Sequence, residues 1–165
     1  MKNDFETSFN IDKAEKTVKV TRKFAAAREQ VWSAWTEPEL LDRWWGPKPW
    51  KSQTKEMDFK EGGHRLYAMV SPEGEKHWSL INFTSITPRV NFKYHDGFCD
   101  SDGVINHELP QSDWNVHFNE SDGSTTVHVE IRHEKRSDLE KIMEMGFKEG
   151  FTATLRELAD VLAKL

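Results

Sequence analysis

Residues 137–165, SDLEKIMEMGFKEGFTATLRELADVLAKL, form the only stretch whose apolar positions keep helical spacing over many turns. Leu139, Ile142, Met143, Gly146, Phe147, Gly150, Phe151, Thr154, Leu155, Leu158 and Leu162 recur at three- and four-residue steps, with charged residues such as Glu140, Glu144, Lys148 and Asp160 mostly opposite. The pattern predicts one long amphipathic helix. Ser137 with Glu140 has the spacing of a capping box, in which each side chain satisfies an orphan N–H of the first turn. Glu144 with Lys148 and Asp160 with Lys164 add favourable pairs on the wet face. Gly146 and Gly150 each cost about 1 kcal/mol against Ala inside a helix, so a close approach of a sheet or a cavity wall is expected there.

Everything else is compatible with one domain packed on that helix. The chain has 165 residues, 36% hydrophobic and 12% aromatic, enough for one sizeable core. A net charge of −5 without a basic block argues against nucleic acid or an anionic membrane as partner. No run of about 18 apolar residues exists, and the N-terminus lacks the apolar core of a signal peptide, so a cytoplasmic location without membrane insertion is the default expectation. The single Cys99 cannot form an internal disulfide, which agrees with a reducing compartment.

Residues 1–14 are polar and aperiodic and read as a flexible arm able to add an edge strand, leaving 15–165 as the domain. Thr17 to Phe24 alternates as a half-buried strand, broken only by Arg22 on the apolar face. Ala26 to Trp35 turns helical, and a second short helix starts at Thr36-Glu37-Pro38-Glu39, again with capping-box spacing, and ends at Trp44-Trp45-Gly46-Pro47. From Trp50 to His133 strands alternate with turn signals: Lys51 to Phe59, Arg65 to Val70, His77 to Ile86, Val90 to Phe98, then a hairpin about Asp122-Gly123. A type I′ turn at Asp122-Gly123 makes facing residue numbers sum to 245, pairing Trp114 with Ile131, Val116 with Val129 and Phe118 with Val127 inside, and His117 with His128 outside. For the hairpin at Pro72 to Gly74 the loop length is ambiguous, so either Trp78 or Ser79 shares a face with Met69. An antiparallel meander followed by one long helix predicts an α+β fold: a curved sheet of about seven strands wrapped around the C-terminal helix, with two short helices after the first strand.

The residues Arg22-Lys23-Phe24-Ala25-Ala26, Val31-Trp32-Ser33-Ala34-Trp35-Thr36-Glu37-Pro38, Arg43-Trp44-Trp45-Gly46-Pro47, Asp58-Phe59 before Gly62-Gly63, Met69 before Pro72-Glu73-Gly74, and Gly150-Phe151 with Leu155 and Leu158 together resemble the AHSA-type family. These are homologues of the activator of heat-shock-protein-90 ATPase, within the START-like (SRPBCC) helix-grip superfamily. The resemblance runs from about Arg22 to Leu162. It implies a sheet gripping the last helix around an apolar cavity, in members that bind small hydrophobic ligands, assist a chaperone or, more distantly, catalyse cyclisation. Three features depart from the family pattern: Arg65 stands where an aromatic residue usually follows the Gly-Gly pair, Phe151 replaces the usual Trp after Gly150, and a preceding domain of the co-chaperone type is not expected. Arg65 is expected to put a charge at the pocket.

Chemical motifs are thin: Gly-x-Ser-x-Gly, a P-loop, zinc-type Cys pairs and His-Glu-x-x-His are all missing. The seven histidines read mostly as surface residues, and His117 facing His128 offers two ligands only, too few for a selective metal site. No cofactor or metal is expected. The candidate ligand-binding set is Trp44, Trp45, Arg65, Tyr67, Met69, Phe92, Tyr94, Trp114, Met143, Gly146, Phe147 and Phe151. Tyr67, Tyr94 and Arg65 could orient a ligand or, in an enzyme, polarise a carbonyl. Three readings follow: non-catalytic binding of a small apolar molecule, which is favoured; co-regulation of a chaperone ATPase through surface contacts; and a cyclase or hydratase activity.

Overall fold

The hairpin register read from Asp122-Gly123 is the one observed, and the sheet is built outward from it. The computed structural model of the protein describes residues 5–165; of the segment read as an arm, residues 1–4 lie outside the described residues. Asp122 (φ 54°) and Gly123 (φ 78°) both have the positive φ of a type I′ turn. They join β7 (Gln111–Ser121) to β8 (Ser124–His133), with Trp114 opposite Ile131, Val116 opposite Val129 and His117 opposite His128. Ahead of them run β1 (Ser8–Asp12), β2 (Thr17–Phe24), β3 (Lys51–Met57), β4 (His64–Val70), β5 (Lys76–Thr87) and β6 (Asn91–Cys99). All pair antiparallel in one eight-stranded sheet of order β1-β2-β8-β7-β6-β5-β4-β3. The strand beyond the expected seven is β1, which pairs Phe9 with Val20 at the edge.

The register also settles the β4–β5 hairpin. Tyr67 faces Ser79 and Met69 faces His77, so Ser79 shares the face of Met69 and Trp78 lies on the other. Alternation then assigns the inner face: Tyr67 and Met69 on β4; Ser79, Ile81 and Phe83 on β5; Phe92, Tyr94, Asp96 and Phe98 on β6; Ser112, Trp114, Val116 and Phe118 on β7; Val127, Val129, Ile131 and His133 on β8. Most of these residues join one hydrophobic core with α1 (Arg28–Thr36), α2 (Pro38–Trp44) and the C-terminal helices.

The long helix expected over 137–165 is two helices, α3 (Arg136–Glu144) and α4 (Phe147–Ala163), broken at Met145-Gly146. Gly146 sits at φ 86°, ψ 26°, the left-handed conformation that ends helices and that residues with a Cβ adopt at a cost. Its N–H donates to Met143 O at 3.1 Å and its carbonyl accepts from Gly150 N at 2.9 Å, so one residue closes α3 and opens α4. No neighbour lies within 4 Å of where a Gly146 side chain would start, so backbone conformation, not crowding, explains this glycine. Gly150 is different: its missing Cβ would sit 3.7 Å from Pro47 Cγ, at a helix–loop contact. Neither expected capping box forms. Lys135 caps α3, placing Ser137 inside the first turn, and Glu37 caps α2, while Thr36 Oγ1 donates back to Trp32 O at 2.8 Å.

The buried face of α4 comprises Phe151, Thr154, Leu155, Leu158, Ala159, Val161 and Leu162. Phe151, 5% exposed, lies with its ring centroid 5.7 Å from Trp114 and 6.1 Å from Trp45. Phe151→Ala is therefore expected to destabilise the domain by about 3–5 kcal/mol, while Arg156→Ala on the exposed face changes little. Urea unfolding of both variants checks this; a loss below about 1 kcal/mol for Phe151→Ala would mean that the apolar stripe does not grip the sheet.

Candidate functional site

Between the inner face of the sheet and α4 lies a cavity of about 330 Å³. Its walls are apolar and aromatic: Trp45, Pro47, Met69, Phe98, Trp114, Ile131, Phe147 and Phe151. Trp45 arrives at the end of α2, where the chain turns at Gly46, and a side chain at Gly46 would collide with the end of Met69. Phe147 and Phe151, one helical turn apart on α4, stack at 5.1 Å with 19° between planes, and both stand edge-on to Trp114. Met145 of the α3–α4 break also borders the cavity and is 63% exposed, so the cavity meets solvent at that break.

Polar groups gather on the sheet side. Ile81, Asp96, Ser112 and His133 stand opposite one another across β5, β6, β7 and β8. All but Ile81 line the cavity, with Tyr67 and Ser79 beside them. Two indoles fix the hydroxyls: Trp45 Nε1 donates to Tyr67 Oη at 3.0 Å, and Trp114 Nε1 donates to Ser112 Oγ at 3.0 Å. Asp96 has no such anchor among the described residues. Its carboxyl is pushed up to about 7 by burial, with the charges of His95 and Arg65 opposing only in part. The Tyr67 phenol is raised to about 12 by burial, with the Asp96 charge adding to it. His133, 4% exposed, is held below its ordinary value by burial against the pull of Asp138, and its Nδ1 has no hydrogen-bond partner.

Seven of the residues expected at a pocket line this cavity: Trp45, Tyr67, Met69, Trp114, Gly146, Phe147 and Phe151. The other five lie elsewhere. Trp44 is 1% exposed and donates to Ala34 O at 2.9 Å. Phe92 and Tyr94 stack in series between Phe118 and Trp114 as core. Met143 packs against the core from α3. Arg65 does not place its charge in the cavity. Its guanidinium lies beneath the Tyr67 ring, 4.0 Å from the centroid, and donates to Ser52 Oγ (2.8 Å) and Thr54 Oγ1 (3.2 Å), with Asp42 Oδ1 at 3.5 Å. Burial lowers its pKa, opposed by Tyr67, Asp42 and Tyr94.

The cavity residues not foreseen are chiefly Asp96, Ser79, Ser112 and His133. Each stands at an inner position of its strand, so alternation held the signal, but polar side chains were not expected to face inward. On the outer face, pairing joins His95 Nδ1 to Asp113 Oδ1 at 2.8 Å and its Nε2 to Gln111 Oε1 at 2.8 Å. Burial works against the charged ring there, and the bonds to Gln111 and Asp113 more than offset it, so its pKa is raised. The His117 and His128 rings lie 6.1 Å apart on that face. Among the described residues no cluster of three or more His, Cys, Asp or Glu side chains could hold a metal ion, and no helix is long and apolar enough to cross a membrane.

This architecture recurs in known proteins. A solved protein from Arthrobacter aurescens superimposes with a TM-score of 0.90 at 28% identity, covering 96% of this chain and 92% of that one. Protein Ms6760 from Mycobacterium smegmatis gives 0.86 at 28% identity, covering 94% and 96%. Protein NE0264 from Nitrosomonas europaea gives 0.80 at 28%, covering 93% and 97%. No curated protein matches. The family model described as "Activator of Hsp90 ATPase homolog 1-like protein" matches residues 25–163. A match over so much of the chain, on a sheet that grips its last helix, means that the protein belongs to the AHSA1-like family.

Proposed function

We propose that the protein binds a small, largely apolar molecule in the cavity between the sheet and α4. One observation carries this reading: about 330 Å³ of space walled by Trp45, Met69, Trp114, Phe147 and Phe151, with its polar groups confined to one side. That size and that division of wall chemistry are those of small-molecule pockets, in which apolar area supplies affinity and a few polar groups set orientation. An apolar cavity open to solvent also costs stability, because its lining forgoes the burial and dispersion contacts a filled core would make. A half-buried carboxyl facing this space with no side-chain hydrogen-bonding partner among the described residues adds a second cost. Both are understandable in a site meant to be filled. Co-regulation of a chaperone ATPase rests on the family's description alone and takes second place.

Gly150 supplies the sharpest test of occupancy. It lines the cavity in regular α4 geometry and faces Pro47. Gly150→Leu should therefore fill cavity space, whereas a change at Gly146 would strain a left-handed backbone instead. Wild type is expected to bind neutral naphthyl alcohols at micromolar strength and Gly150→Leu at least about tenfold more weakly, which is about 1.4 kcal/mol, with unchanged circular dichroism. Equal binding by both forms would move the ligand out of the cavity.

Asp96 gives a pH signature. With a carboxyl near 7 when folded and an ordinary value when unfolded, the folded chain binds more protons between about pH 4 and 7, so this group makes stability fall as pH rises through that window. Asp96→Asn removes the effect. The variant should match wild type near pH 4 and exceed it by about 2–4 kcal/mol near pH 8, an order-of-magnitude figure from the shift. Urea midpoints at the two pH values measure this. A variant less stable than wild type at pH 8 would show the carboxylate to be stabilised where it stands.

A further inference from the structure

We propose that the cavity selects an amine: a small arylalkyl or alkyl molecule held as its ammonium ion between the Asp96 carboxylate and the faces of the surrounding rings. This rests on the cavity being a ligand site and adds the chemical class of the guest.

The charges of the site are arranged one-sidedly. Arg65 is the buried cation nearest the polar side, but the Tyr67 ring covers it and Asp42, Ser52 and Thr54 satisfy it from beneath. Asp42 is in turn held by the hydroxyls of Ser52 and Thr54 and by Thr54 N. Cation and counter-ion are thus paired outside the cavity. The Asp96 side chain lines the cavity, and its carboxylate makes no ion pair or hydrogen bond to another described residue. A guest carboxylate would meet an acid and find no cation at the cavity wall, whereas a guest ammonium would supply the missing partner. Burying one member of an ion pair alone is costly, and a guest ammonium that meets the carboxylate and the ring faces offsets part of that cost.

The walls suit the same guest. Trp45, Trp114, Phe147 and Phe151 form a continuous cluster of rings, with Trp45 and Trp114 6.0 Å apart and Trp114 and Phe151 5.7 Å apart. Ring faces attract cations and bind them best where water is excluded, so the cluster holds both the organic body of an amine and part of its charge.

The groups around Asp96 set how this depends on pH. β4 brings Arg65 and Tyr67; β6 itself brings His95, Tyr94 and Cys99; β8 brings His133. β5 and β7 bring only serines and apolar side chains, and α3, α4 and the loop after α2 bring no titratable side chain to the cavity. Burial keeps the tyrosines and Cys99 neutral and holds His133 toward its neutral form. Ionisation of Asp96 and loss of the neighbouring His95 charge, whose pKa its bonds to Gln111 and Asp113 raise, are then the events as pH rises from about 5 to 8; both make the site more negative, and an amine with a pKa of about 10 stays charged throughout. Amine affinity should rise with pH across this range.

The test compares 2-(1-naphthyl)ethylamine, 2-(1-naphthyl)ethanol and 1-naphthylacetic acid, three compounds with one ring system, titrated calorimetrically into the full chain. At about pH 8 the amine is expected to bind at least about tenfold more tightly than the alcohol, with the acid weakest. At about pH 5.5, and in Asp96→Asn at pH 8, the amine's advantage should shrink to about twofold or less while alcohol binding persists. If the alcohol binds but the amine does not exceed it, or if its advantage survives in Asp96→Asn, amine selection is wrong and the apolar site remains. If none of the three binds, both readings fall.

Discussion

The buried guanidinium of Arg65 is the interaction on which the rest of the site depends. It is 2% exposed, and its donors reach Ser52 and Thr54 on β3 with Asp42 of α2 beside them. Edge strand, neighbouring strand and short helix are thereby held by one planar group whose donors are matched by oxygens fixed on two elements. The Tyr67 ring rests on the guanidinium, and the Tyr67 hydroxyl accepts from Trp45. The two aromatic residues that shape one side of the cavity therefore take their positions from a charge that never enters it. Removing a single member of such a network strands buried polar groups, which is why an arginine can persist where an aromatic side chain would also fill space.

Opposite that fixed side, the cavity is bounded by an interrupted helix. The break at Met145-Gly146 lets α3 and α4 take separate courses, with Gly146 satisfying backbone groups of both. The apolar steps continue across it from Met143 to Phe147, so spacing alone suggested one helix. Periodicity reports which side chains face the core and is silent about φ. What distinguished the break was a glycine with no crowding to explain it.

The fold was legible because two signals agreed. Asp122-Gly123 set the pairing of β7 with β8, and alternation carried inner and outer faces from strand to strand. The same register already placed Ser112 opposite His133 on the inner face, and the run Phe92, Tyr94, Asp96, Phe98 put a carboxyl among inward aromatics. These residues were passed over because polar side chains ordinarily face water, and an inward polar row makes sense only once a cavity stands above it. Arg65 misled in the opposite way: its inward position was readable, but its partners Asp42 and Ser52 lie 23 and 13 residues earlier in the chain, and no local pattern joins them.

Occupation of the cavity can be seen directly through two of the seven tryptophans. The indole N–H groups of Trp45 and Trp114 bond to Tyr67 and Ser112 at the polar side, whereas Trp50 and Trp78 lie away from the cavity. In ¹⁵N-labelled protein titrated with 2-(1-naphthyl)ethanol, the Trp45 and Trp114 indole signals should shift together and saturate while those of Trp50 and Trp78 stay in place. Movement of Trp50 or Trp78 with Trp45 and Trp114 unchanged, or no movement at any indole, would contradict the account.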